Sequence, residues 1–417
     1  MRASAPFTAG PAATDRTRFV LWALLPLWLA ISAMQTRLLL GNQPLGCDLL
    51  PLWTAGRIAF QRPHDLYRFD VITNLQRWAI GDPVGLRPWI YPPSALLLFA
   101  PFGRLAFGLF YPLWTGATGA LFGWITAIHL RRDRGVSLAL LGFGSACCTS
   151  ILIGQANLLV GALLLAGIGS LGRRPMLAGV LLAAAALIKP TSLILMPVAL
   201  LAIGNWRAVA AGVLTAIVAV SLSALLFGWQ TWLDWLHALP AFDRLVQSEP
   251  TLWRGVLNFT WLAHLAGAGD GLVLAIRAAL AVAGAALVWA VFRRTEDLAV
   301  RVIVMAGSGL LITPYAMSYD AVIVAAPAVI LMSCDPRRIG WGFTCFLLAA
   351  LAASPPAAPF GLLGLVVLAA APSLRNLADP ASGRAITGRQ GEEAPVRSGV
   401  RVGVSPVRQQ GERLTPW

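Results

Sequence analysis

The chain has 417 residues, 58% of them hydrophobic and only 12% charged, whereas an ordinary soluble domain carries roughly 25% charged residues. With 32 Lys and Arg against 18 Asp and Glu the formal net charge is +14, but the arginines sit in small groups between apolar runs rather than along one soluble face, which argues against nucleic acid. A fold in water has no way to hide so much apolar surface, so lipid is the natural solvent.

After Arg2, Arg16 and Arg18, an apolar run over 19–40 reads as a first membrane helix. It is too long for a cleaved leader and is expected to remain. Short cytoplasmic loops are enriched in Lys and Arg. Arg16/Arg18, Arg131/Arg132/Arg134, Arg173/Arg174, Arg207, Arg293/Arg294, Arg337/Arg338 and Arg375 are therefore placed inside. The chain must leave and return between them, which gives further helices at 105–130, 136–153, 157–172, 208–228, 271–292, 297–313, 320–334, 339–353 and 358–374.

Two stretches need special treatment. Residues 94–130 would span about 54 Å as one helix, nearly twice a bilayer core. Pro101 and Pro112 are expected to divide them, with a short interfacial or re-entrant helix at 94–103. In 175–204 a single straight helix would put Arg207 outside and reverse every later assignment, so an out-and-back pair split at Lys189/Pro190 is expected. Each half, about 21 Å long, needs protein or a water-filled cavity around its freed backbone groups.

The resulting expectation is an all-α polytopic integral membrane protein of about 10–12 transmembrane helices, some broken or re-entrant. It has a cytoplasmic N-terminus at 1–18, a transmembrane domain at 19–375, outer loops at 41–93 and 229–270, and a polar cytoplasmic tail at 376–417 without periodicity, read as disordered. Both outer loops are rich in Trp and charge and are expected to contain amphipathic helices lying on the membrane surface. The expected location is the cell (inner or plasma) membrane.

Several residues can carry chemistry. Asp48 follows the first helix closely, and its carboxylate could take a proton from an acceptor hydroxyl or merely cap the helix holding Trp53 and Arg57. Lys189, the only lysine, lies in the apolar stretch LLAAAALIKPTSLIL. An unpaired ammonium there costs about 2.5–3.5 kcal/mol even on lenient scales, so it either binds a lipid phosphate or snorkels to the outer interface. The turn GQAN (154–157) offers two amides, and TPYAMSYD (313–320) two tyrosines, a serine hydroxyl and an acid. The five cysteines form no CxxC pair and read as small packing residues, and His64, His129, His237 and His264 are scattered. No metal site or cofactor is expected, though a divalent ion is not excluded.

In order along residues 45–330, Asp48, WTAGR (53–57), Asp65, Tyr67, WIYPP (89–93), Pro101, GQAN, Ala178/Gly179, Lys189/Pro190 and TPYAMSYD resemble glycosyltransferase family 87, of the GT-C superfamily. The resemblance implies a GT-C-like bundle that transfers a sugar, mannose or another hexose, from a polyprenyl-phosphate donor to a hydroxyl of a lipid or envelope glycan at the outer face. It implies inversion, with Asp48 as general base. Lys189 would stabilise the departing phosphate, with Arg57 a second candidate from its place in the motif. Tyr91, Gln155, Asn157, Tyr315, Tyr319 and Asp320 would line the pocket. Leu49 stands where relatives commonly have an aromatic residue, and some branches have histidines near the position of Asp320. Partners are then the donor, the acceptor and membrane lipids, with no nucleic acid. The competing readings are a lipid or lipid-linked-sugar flippase, and a noncatalytic scaffold of envelope assembly.

Overall fold

The computed structural model describes residues 11–81, 87–248, 256–313, 315–334, 339–354 and 356–375. The termini 1–10 and 376–417, the latter including the expected disordered tail, and Arg337/Arg338 lie outside the described residues. Nearly all of the described chain is helical, and its β-pairing is limited to one antiparallel bridge between Val256 and Met317.

Helix α1 (Pro11–Leu40) leads into two short helices, α2 (Leu50–Ile58) and α3 (Phe69–Ile80), and a compound turn that contains α4 (Leu96–Phe99). There follow α5 (Phe107–His129), α6 (Arg134–Gly142), α7 (Ser145–Ile153), α8 (Asn157–Ser170), α9 (Pro175–Ile188) and α10 (Met196–Ala202). The second half holds α11 (Trp206–Phe227), α12 (Gln230–Ser248), α13 (Phe259–Leu265), α14 (Asp270–Arg294), α15 (Leu298–Ile312), α16 (Val322–Cys334), α17 (Ile339–Ala352) and α18 (Ala358–Arg375).

Among the described residues three helices are long and apolar enough to cross a membrane: Trp22–Leu40 of α1, α11 and α14. Their outward faces carry large apolar side chains, such as Leu225 on α11 at 81% exposure and Val282 on α14 at 72%. A monomer in water rarely leaves so much apolar surface open. By contrast α15 is buried along nearly its whole length and packs against α14 and α16. Beside these long helices stand several shorter apolar ones of 10–17 residues, among them α8, α9, α15 and α17. Close approach is built from glycine where backbones meet: a Cβ at Gly179 of α9 would lie 2.1 Å from the Ala208 carbonyl oxygen of α11.

The break at Lys189/Pro190 is present. Lys189 takes extended angles (φ −140°, ψ 85°), as the residue before a proline prefers, and a 3-10 turn, Pro190–Leu193, precedes α10. The chain then returns: the Asn205 side chain, which caps α11 through the Ala208 N–H, also donates to the Leu171 carbonyl at the end of α8.

Two expectations need correction. The helix expected at 136–153 is two helices bent by 58°, because the extended Gly144 (ψ 142°) interrupts it. Pro112 does not divide the 94–130 stretch; it sits within α5, and the chain turns instead at Leu105 and Ala106, both extended. In the first loop all of α2 except Arg57 is buried, against the turn at Ala100–Arg104. In the same loop α3 is amphipathic, burying Ile72, Thr73 and Gln76 while Trp78 is 76% exposed.

Candidate functional site

The polar turns collect at one end of the bundle. The turn between α7 and α8 is its centre, and Gly154 explains the shape of that turn. Its φ of +79° ends α7 in the left-handed region, and a Cβ there would meet the Leu49 side chain at 2.6 Å. Such a position is open to glycine and costly for other residues. The carbonyls left free at the end of α7 are used by the first outer loop: Gly46 N–H donates to Leu152 O at 2.7 Å and Asp48 N–H to Ile153 O at 2.9 Å. This docking fixes the Asp48 backbone beside the turn.

The Asp48 side chain is not a helix cap; Leu49 holds that position, without a side-chain bond. Its carboxylate is instead held by two side chains from distant segments. Gln155 Nε2 donates to Oδ2 at 2.6 Å, and the Arg87 guanidinium donates to Oδ1 through Nη1. Arg87 also donates through Nη2 to Gln43 Oε1, while its buried Nε meets no hydrogen-bond acceptor among the described residues. Burial opposes the charge of this guanidinium, but Asp48 outweighs that effect and holds its pKa above the usual value. The Cys47 thiol lies 3.7 Å from Asp48 Oδ1 and 3.4 Å from Gln43 Oε1. Burial first, and then Asp48, push it up to about 12.

Two residues along the same turn, Asn157 serves a second ion pair. Lys189 pairs with Asp320 Oδ1 and donates to Asn157 Oδ1 at 2.8 Å, while Asn157 Nδ2 donates to Asp320 Oδ1 at 2.7 Å. Asp320 Oδ2 accepts the Met317 N–H at 2.9 Å, so the carboxylate also closes its own turn. The Asp320 side chain is 2% exposed and that of Lys189 16%. A charge buried so deeply is tolerable when paired and hydrogen-bonded. Lys189 therefore neither snorkels to a surface nor stands free; its partner within the protein is Asp320.

Three tyrosines complete the cluster. Tyr91 O–H donates to Gln155 Oε1 at 3.2 Å, and its backbone carbonyl accepts the Tyr67 hydroxyl at 2.8 Å. Tyr319 lies under the Lys189 ammonium, 5.6 Å from ring centroid to nitrogen. Burial, followed by the neighbouring carboxylates, raises the phenols of Tyr91 and Tyr315, so both stay neutral donors. The second outer loop clamps this side of the site. Trp235 of α12 donates to Ile90 O at 3.0 Å, Phe242 packs edge-on to Tyr315 at 5.1 Å, and Asn258 donates to Thr313 O at 2.8 Å.

The structure thus brings Asp48, Gln155, Asn157, Lys189, Asp320, Tyr91, Tyr315 and Tyr319 into one neighbourhood. Arg57 is not part of it. Its guanidinium lies over the Trp53 ring at 5.4 Å, on the exposed side of α2. Arg87, Gln43 and Asn258 were not singled out from the sequence. Arg87 is one of five arginines in the first loop, and nothing in that pattern separates it from the others except its place two residues before WIYPP. Among the described residues no three His, Cys, Asp or Glu side chains gather as a metal site would require; each site carboxylate meets a cation of the chain instead.

Comparison with known proteins gives two findings. The sequence profile described as Glycosyltransferase family 87 matches residues 89–314. That match includes Tyr91, Gln155, Asn157 and Lys189, while Asp48, Arg87 and Asp320 lie outside it. A Mycobacterium tuberculosis protein, the polyprenol-phosphate-mannose-dependent alpha-(1-2)-phosphatidylinositol pentamannoside mannosyltransferase, is 28% identical over 326 residues, 72% of this chain and 71% of that protein. No solved structure gives a significant match.

Proposed function

The chain belongs to glycosyltransferase family 87, and from that membership we propose that it moves a hexose from a polyprenyl-phosphate donor to a hydroxyl of a lipid or envelope glycan. The reaction takes place at the outer face of the cell membrane, in a bundle of the GT-C type whose arginine-rich turns face the cytoplasm. Mannose is the first sugar to test, since the mycobacterial relative is named for a mannose donor. The observation that carries the reading is the turn at 154–157. Through Gln155 it holds Asp48, the acid of the first loop that reaches the cluster among the described residues, and through Asn157 it holds the only lysine of the sequence. A base and a cation on one turn fit a reaction that takes a proton from one oxygen and leaves charge on another.

In this mechanism the acceptor hydroxyl gives its proton to Asp48 as its oxygen attacks the anomeric carbon. The bond to the phosphate oxygen breaks on the opposite face, with inversion. Lys189, whose ammonium keeps one N–H beyond those given to Asn157 and Asp320, faces the donor phosphate. The neutral phenols of Tyr91, Tyr315 and Tyr319 donate to sugar hydroxyls. Arg57, on the outer side of α2, meets the donor on its approach.

The test is transfer from a radiolabelled polyprenyl-phosphate hexose to candidate lipid and glycan acceptors, in membranes containing the full chain. Wild type should give product of inverted anomeric configuration, and Asp48→Asn should lose about 10²–10⁴ in rate, the range for a positioned general base. Transfer that survives the substitution would remove Asp48 from the mechanism. Labelled donor that crosses the bilayer with its sugar intact would make the protein a flippase.

A further inference from the structure

The two ion pairs of the site sum to zero charge: two carboxylates, one guanidinium and one ammonium. An anionic donor entering such a neutral cluster needs a cation that can change partners, because an uncompensated buried charge is costly. Lys189 is a poor choice for this exchange. Its partner Asp320 is 2% exposed and is tied at the same time to Asn157 and to the Met317 N–H. Arg87 is better suited. It spans Asp48 and Gln43 with two of its nitrogens, and its third, Nε, is buried with no acceptor among the described residues.

The charge balance of the proposed reaction makes the same selection. The donor is a phosphodiester with one negative charge. When the acceptor proton goes to Asp48, that carboxylate becomes neutral. When the bond between the anomeric carbon and the phosphate oxygen breaks, its electron pair stays on the phosphate, which leaves as a monoester able to carry a second negative charge (second pKa about 6). One unit of negative charge thus disappears at Asp48 and appears on the leaving group. The cation already bound to Asp48 loses its counter-ion at the step in which the phosphate gains charge.

Resting on the transferase reading above, we propose that Arg87 is a catalytic residue that hands its ion pair from Asp48 to the departing polyprenyl phosphate. Before the donor binds, Arg87 holds the Asp48 carboxylate in place; as Asp48 takes the proton, the planar fork of the guanidinium turns to two phosphate oxygens. Arginine suits the exchange because its donors match carboxylate and phosphate equally in geometry. Gln155, which stays on Asp48 Oδ2, keeps the acid in place while Oδ1 changes partner.

The handover predicts a reciprocal effect that binding alone can read. A short-chain polyprenyl phosphate is used as probe on the purified full chain, by displacement of a fluorescent polyprenyl phosphate, with inorganic phosphate as a second probe. Asp48→Asn leaves Arg87 without its counter-ion and should bind the lipid phosphate about tenfold more tightly than wild type. Arg87→Gln should bind it about tenfold more weakly, and the double variant no more tightly than Arg87→Gln. Inorganic phosphate responding in the same direction would assign the effect to the headgroup; a response confined to the lipid probe would assign the effect to the chain and overturn the proposal. Asp48→Asn binding no more tightly than wild type overturns it as well, and this measurement needs no activity and does not depend on how Arg87→Gln folds. If wild type transfers sugar and Asp48→Asn does not, yet lipid phosphate binds both equally, Arg87 falls while the transferase reading stands. A wild type that neither transfers sugar nor binds the probe removes both.

Discussion

The two ion pairs of the site are alike in charge and unlike in construction. Lys189 and Asp320 come from a helix break and a tight turn inside the bundle, and Asn157 joins both of them, so each partner is held from several sides. Asp48 and Arg87 come from the loop after α1, and their side chains are 11% and 16% exposed, with one guanidinium nitrogen lacking an acceptor among the described residues. The first pair behaves as a clasp that closes the Pro190 break against α8 and the 313–321 turn. The second is a pair whose members can exchange partners. The contrast shows how one buried cluster can be rigid on one side and responsive on the other, according to how many bonds hold each charge.

The largest expected effect beyond loss of Asp48 tests the clasp. Lys189→Met should leave the Asp320 carboxylate buried and unpaired, at a cost of about 3–5 kcal/mol. Thermal unfolding in detergent should therefore show a marked fall in stability, and Lys189→Met combined with Asp320→Leu should recover most of it. A single variant as stable as wild type would erase the distinction between the two pairs.

Next in size, Gln155→Leu removes the hydrogen bond on Asp48 Oδ2. Without it the Asp48 carboxylate is held through Oδ1 alone, and kcat/KM should fall about tenfold while thermal stability stays near that of wild type. A fall in stability matching the loss of activity would make Gln155 a packing residue and no more. A smaller change is expected at the rim. Arg57→Ala should raise the donor KM a few-fold, roughly as rim charges act on encounter, and leave kcat alone. A fall in kcat would bring Arg57 back to the reacting phosphate, as the sequence motif implies.

The smallest effect is at Cys47. The thiolate is the form that reacts, and burial and Asp48 hold this thiol up to about 12. Peptide-resolved alkylation near pH 8 should find Cys47 nearly inert and its reaction rising as the pH approaches that value. Fast labelling at pH 8 would mean that the first outer loop opens away from Asp48.

Much of the site was legible because hydropathy made its residues conspicuous. A lone lysine in a long apolar stretch must have a partner or an exit, and requiring every arginine cluster on one side forces a break beside it; both features are present at Lys189/Pro190. The partner was not legible, since Asp320 lies 131 residues away and sequence spacing carries no information about that contact. Arg87 was hidden for a related reason. Its importance comes from the docking of residues 46–48 on the end of α7, which brings Asp48 within reach of a guanidinium 39 residues on.

The amino-acid sequence by itself determined the membrane character, the helical class and the break at Lys189/Pro190, because these follow from local apolarity and proline geometry. Tertiary structure alone decided which helices face lipid, that 136–153 bends and α2 is buried, and which charge meets which. Ion pairs form between groups that folding brings within a few ångströms, and in a bundle of short helices that proximity is set by packing rather than by distance along the chain.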